Sequence, residues 1–223
     1  MCDSFEILND KLVNCRKCPR LVAWREEMAA TKRRAYLNQD YWGKPVPGFG
    51  DPQAKVVVVG LAPGAHGSNR TGRMFTGDAS GDFLYPALFN AGFASQPSSH
   101  AIGDGLSLSD VFISAVCRCV PPGNKPTAEE ISICLPWLQR EVDLLSDVKG
   151  CVALGRIAFD GILQLYKMQG VKMPNLKFSH GAFFQIGGLP WILCTYHPSR
   201  QNTQTGRLTV AMFDEIWSRV KDL

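Results

Sequence analysis

No stretch of this 223-residue chain approaches the roughly 18 consecutive apolar residues of a membrane-spanning helix, so no membrane span is expected. The N-terminal MCDSFEILNDKLVNCRKCPR has no apolar core after a basic start, which removes the usual export signal. A soluble, intracellular protein of the cytoplasm is expected. There is no internal repeat, low-complexity tract or long linker, so solenoids and tethered multi-domain arrangements are set aside and a single domain, 1–223, is expected. Charge of one sign is scarce too. With 24 Lys+Arg against 20 Asp+Glu the net charge is +4, a mild bias toward anionic partners that decides nothing alone. No G-x-G-x-x-G follows the first apolar run, which disfavours a dinucleotide fold. The stretch GSNRTGRM has P-loop spacing, but Arg73 and Met74 stand where the Lys and the Mg-binding hydroxyl belong, and nucleotide hydrolysis is set aside.

What is present begins with four short β-branched runs, Val56 to Gly60, Val111 to Val116, Cys151 to Gly155 and Trp191 to Tyr196, each read as a buried strand. Segments of helical spacing lie between or after them: Phe83 to Ala91, Ala128 to Leu145, Ile157 to Lys167 and Leu208 to Val220. Strand and helix alternate as in a parallel α/β sheet covered on both faces. Thr127 and Glu130 make a capping box for the helix from Ala128, and Pro136 is expected to bend or shorten it.

In open parallel sheets ligands bind beyond the carboxyl ends of the strands. Three such ends carry polar loops here: GLAPGAHGSNRTGRMFTGD, CRCVPPGNKPT and HPSRQNTQTGR. Eight cysteines without an export signal point to free thiols or metal ligands rather than disulfides. Cys15 and Cys18 form a Cys-x-x-Cys pair, whereas Cys119 and Cys134 lie well apart in mid-chain, and Cys2, Cys117, Cys151 and Cys194 are left over. A four-thiolate zinc site fits the first pair; the spread of the second suits a cluster held by remote segments.

The loops GLAPGAHGSNRTGRMFTGDASGDFL, CRCVPPGNKPT and HPSRQNTQTGRLT resemble the three signature regions of the B-type (family 5) iron-sulfur uracil-DNA glycosylases, in order and spacing across most of the chain. The resemblance implies a three-layer α/β/α fold around a central four-stranded parallel sheet. It also implies a [4Fe-4S] cluster on Cys15, Cys18, Cys119 and Cys134, and DNA containing uracil or other damaged bases as partner. Ala62 replaces the acidic residue of A-type relatives, and Ala115 their uracil-reading Asn, as expected of the B-type.

Motif position assigns roles. Asp78 positions or deprotonates water and stabilises a cationic sugar, and His197 donates to a base oxygen as negative charge develops. Phe75 stacks the extruded base, Asn124 reads its edge, and Gly64, Ala65 and His66 enclose it. Arg200, Gln201 and Asn202 enter the duplex, while Arg70, Arg73, Lys125 and Arg207 meet phosphates. Each has a plainer alternative: helix capping for Asp78, core for Phe75, a turn for Asn124, a satisfied strand-end histidine for His197, and surface charge for the arginines. A monofunctional, monomeric enzyme is expected. Its rivals are a non-catalytic metal-stapled nucleic-acid-binding module, an iron-sulfur electron carrier and a small-molecule hydrolase.

Overall fold

The computed structural model describes residues 4–223, and Cys2 lies outside them. Its strands are β1 (Phe49–Gly50), β2 (Val56–Gly60), β3 (Val111–Ala115), β4 (Gly150–Leu154), β5 (Phe183–Phe184) and β6 (Trp191–Thr195). They form one sheet in the order β1-β3-β2-β4-β6-β5. The inner four are parallel and in continuous register, and the two edge strands pair antiparallel. The expected four-stranded sheet is therefore the centre of a six-stranded one. Two-residue edge strands are too short to show any alternation in the sequence.

The helices are α1 (Phe5–Val13), α2 (Pro19–Thr31), α3 (Ser68–Thr71), α4 (Gly81–Asn90), α5 (Ala128–Leu144), α6 (Arg156–Met168), α7 (Arg200–Gln204) and α8 (Val210–Lys221). Side chains of successive strand residues point to opposite faces, and the core divides accordingly. Val56, Val58, Ile113, Val152 and Leu193 pack with Leu84 and Leu88 of α4 and Phe213 and Trp217 of α8. Val57, Val59, Phe112, Ala153 and Ile192 pack with Leu135 and Leu138 of α5 and Phe159 and Ile162 of α6. Three layers result. Each large side chain so buried contributes about 1.5–3 kcal/mol.

The Thr127–Glu130 capping box forms as expected at the start of α5. Pro136, expected to bend or shorten this helix, sits inside it without ending it. Pro136 has no N–H for the Ser132 carbonyl, but the burial of Leu135 and Leu138 on either side holds the turn.

One buried ion pair ties this frame together. Arg118, just beyond β3, pairs through both terminal nitrogens with Glu141 of α5, and both side chains are 1% exposed. Glu141 also accepts from the Gly48 N–H at 3.0 Å and the Ser114 hydroxyl at 2.7 Å. Removing one partner of such a pair strands the other charge in a dry interior, so Glu141→Ala is expected to cost about 3–5 kcal/mol. Urea unfolding measures it, and a loss below about 1 kcal/mol would show that the pair is not desolvated.

Candidate active site

The loop after β2 is built around a carboxylate. Asp78 Oδ1 accepts from the Ser80 and Gly81 N–H groups at 3.0 and 3.2 Å, capping the start of α4. The capping role weighed for Asp78 thus occupies one oxygen. Oδ2 lies against the Cα atoms of Gly64 and Gly67: a Cβ would stand 2.9 Å from it at Gly64 and 1.9 Å at Gly67. Any larger residue at 67 would displace the carboxylate, which is why the loop carries glycine there. Burial raises the Asp78 pKa, against the lowering effect of its two backbone hydrogen bonds.

Phe75 adopts φ 52, a left-handed conformation that L side chains rarely take, and its carbonyl presses on Gly81. Its ring is buried in the core and stands over Gly60, the last residue of β2, where a Cβ would come within 2.8 Å. The same ring leans on His197 beyond β6, with centroids 5.9 Å apart and planes tilted by 31°. His197 in turn packs on Gly155 beyond β4. Two strand-end glycines therefore make the floor on which Phe75 and His197 rest. Desolvation pulls the His197 pKa down to about 4, so the imidazole is neutral at physiological pH.

His66, between Gly64 and Gly67, is half-buried and places Nδ1 3.0 Å from the Tyr41 hydroxyl. Asn124 closes a three-residue turn in the left-handed conformation (φ 56), and its exposed side chain makes no hydrogen bond among the described residues. Among the described residues no hydrogen bond links it to Phe75 or His197.

Several loop residues depart from the sequence expectations. Arg73 is 5% exposed and paired with Asp104, with further bonds to Ser99 and Thr76; it holds Asp104 well below the usual carboxylate range and is not available to a phosphate. Arg70 donates to the His66 and Gly77 carbonyls and to Gln39 while lying on the Tyr36 ring, so it staples the loop with three of its N–H donors. Asn202 turns inward, donating to the His197 carbonyl at 2.8 Å, and braces the loop it was expected to project from. Arg200 and Gln201 are exposed on the first turn of α7, with no side-chain hydrogen bond among the described residues. Arg207 lies over the Tyr196 ring, 4.5 Å from its centroid.

Cys15 and Cys18, between α1 and α2, line one pocket with Cys119 and Cys134, walled by Leu12, Leu21, Val22 and Trp137. All four are free thiols. Cys117 is outside that lining and buried in the neighbouring core. Burial pushes Cys18 up to about 11 and Cys119 up to about 12. Arg25 of α2, 2% exposed, donates to Cys119 Sγ at 3.0 Å and the Cys15 carbonyl at 3.2 Å; the Arg118 N–H donates to Cys134 Sγ at 3.2 Å. The Nε atoms of both arginines are buried without partners. Among the described residues no three His, Cys, Asp or Glu side chains converge on a point where a single ion would sit.

Sequence reasoning missed Tyr41 and Arg25. Both lie where no motif runs, and a buried arginine on a helix has no signature that separates it from a solvated one.

Comparison with known proteins bears on this geometry. The family model described as the uracil DNA glycosylase superfamily matches residues 47–221. The chain is 53% identical over 212 residues to a type-5 uracil-DNA glycosylase of Thermus thermophilus, covering 95% of this chain and 94% of that one. It is 51% identical over 217 residues to the type-5 enzyme of Mycobacterium leprae, covering 97% and 94%. A type-4 uracil-DNA glycosylase of Pyrobaculum aerophilum is 32% identical over 196 residues, covering 86% and 81%.

Proposed function

This chain belongs to the uracil-DNA glycosylase superfamily, alongside its type-5 members, and we propose that it is a monofunctional uracil-DNA glycosylase acting in base excision repair. It takes uracil and other deaminated or damaged bases out of the DNA stack and hydrolyses the bond to deoxyribose. The observation that carries the reading is, on loops at the carboxyl end of one sheet, a half-buried carboxylate with one oxygen left over from capping and a neutral imidazole resting on an aromatic ring.

Chemistry follows from those groups. As the C1′–N bond stretches, positive charge grows on the sugar and negative charge on the departing base. Asp78 is the one that stabilises the sugar and orients water through Oδ2, and its raised pKa lets it take a proton as the water adds. His197, neutral and desolvated, donates an N–H to a base oxygen without the cost of discharging an imidazolium. Phe75 gives the extruded base an apolar wall; Gly64, Ala65 and His66 enclose it, and Asn124 reads its edge once DNA brings the exposed turn against it. Arg200 and Gln201 enter the duplex.

The cysteine pocket fits a [4Fe-4S] cluster. Its four cysteines come as one tight pair and two residues from remote segments, without the second tight pair of a zinc ribbon. The two unpartnered arginine N–H groups beside the pocket suit a sulfur-rich anion, and coordination to iron would hold the four cysteines as thiolates. When bound, the cluster supplies a cross-link between the α1–α2 segment and the loop that leads to Asn124, with no redox part in hydrolysis. Among the described residues no helix is long and apolar enough to cross a membrane. The reading includes a single domain over residues 1–223 acting as a monomer in the cytoplasm.

The test is a labelled oligonucleotide carrying one uracil, hypoxanthine or ethenocytosine, incubated with the protein and then treated with alkali. Alkali-dependent cleavage of the uracil strand is expected. Cleavage without alkali would overturn the monofunctional reading, and none at all would favour a binding module.

A further inference from the structure

Tyr41 lies outside the three signature loops, yet among the described residues its hydroxyl is the hydrogen-bond partner of the side chain of a histidine inside the first of them. The Tyr41 oxygen accepts from the Arg33 N–H at 3.3 Å and stands 3.0 Å from His66 Nδ1. The two rings meet edge to face, with an interplanar angle of 79°. With one lone pair of the phenol taken by a backbone donor, its own proton is free to point at the imidazole, and a phenol donates to a ring nitrogen more readily than it accepts from one. Desolvation opposes an imidazolium at His66, and the charges of Arg33 and Arg70 add to it. His66 Nε2, on the far edge of the ring, has no partner among the described residues. The residue sits between Gly64 and Gly67, the two positions that press on Asp78.

We propose that Tyr41 is a positioning residue that fixes His66 as the Nε2–H tautomer, so that His66 presents a hydrogen-bond donor to a carbonyl oxygen of the bound base. The proposal rests on the reading of this loop as the base pocket. It gives the site two neutral imidazole donors, His197 set by burial and His66 set by a hydrogen bond. Arg33, whose backbone N–H orders the phenol, belongs to the same device.

Long-range proton–nitrogen NMR on protein with labelled histidine reads the tautomer directly, with His66 assigned by the loss of its signals in His66→Gln. Wild type is expected to show a protonated Nε2 and a bare Nδ1, and Tyr41→Phe a shift toward a mixture of tautomers. One lost hydrogen bond of about 0.5–1.5 kcal/mol corresponds to a fall of roughly two- to tenfold in kcat, with thermal unfolding lowered by no more than a few degrees. A protonated Nδ1 in wild type, or a Tyr41→Phe variant with wild-type tautomer and kcat, would overturn the proposal. If wild type released no base, the pocket reading would fall, while the NMR arm would still decide the tautomer.

Discussion

Asp78→Asn is expected to lower the single-turnover rate of base release by about 10²- to 10⁴-fold, the range of a positioned acid–base group, while the variant folds and binds DNA. The asparagine keeps the oxygen that accepts from Ser80 and Gly81, so the start of α4 stays capped. What is lost is the charge and proton affinity of the second oxygen. The pH dependence follows with a definite sign. The active protein has Asp78 ionised and His197 neutral. His197 titrates at about 4, so no activity limb is expected near pH 6.5, where an ordinary histidine would place one. Activity falls on the acid side as pH drops through the raised pKa of Asp78. Stability runs the other way. A carboxyl whose folded pKa lies above its unfolded one binds more protons when folded, so ionising it costs stability as pH rises through that window. Asp78→Asn is therefore expected to melt no lower than wild type at neutral pH, the trade expected of a desolvated catalytic charge. A variant that melts well below wild type would make Asp78 a structural residue first.

Cys119→Ser is expected to yield colourless protein that holds less iron and melts about 10 °C lower, with little base release. Cys119 joins the loop beyond β3 to Arg25 of α2 and shares its pocket with Cys15 and Cys18. Losing the cross-link frees the α1–α2 segment from α5 and from the turn that holds Asn124. A few kcal/mol lost in a chain of this size corresponds to that drop at roughly 2–4 °C per kcal/mol. Cys117→Ser is the control. It lies outside the pocket lining, and its iron content is expected to match wild type. Equal iron in Cys119→Ser and wild type would remove Cys119 from the ligand set.

All four central strands were legible because β-branched runs of five residues, buried on both faces, leave little other choice. Their ends differ by a residue, as at Gly150, which lies in the sheet although it has no side chain to signal it. Phe49–Gly50 and Phe183–Phe184 were illegible, since pairing of two residues depends on the neighbouring strand rather than on local pattern. The loops were legible as chemistry but not as geometry. Phe75 and Asp78 share one loop, His197 comes from another far along the chain, and the strand ends bring the Phe75 and His197 rings together. The arginines show the limit most clearly. Arg73 and Arg200 look alike as letters in polar loops; one meets Asp104 in the interior and the other faces solvent, a difference set by a partner 31 residues away. Tyr41 was invisible for the same reason, its meaning residing in His66.

The most direct test of the central claim is chromatographic detection of free uracil from a single-uracil oligonucleotide, single- and double-stranded, incubated with iron-loaded wild-type protein. The account predicts free uracil in amounts matching the abasic strand, which stays intact until alkali is added. No free uracil from either substrate, with DNA bound and iron retained, would contradict it.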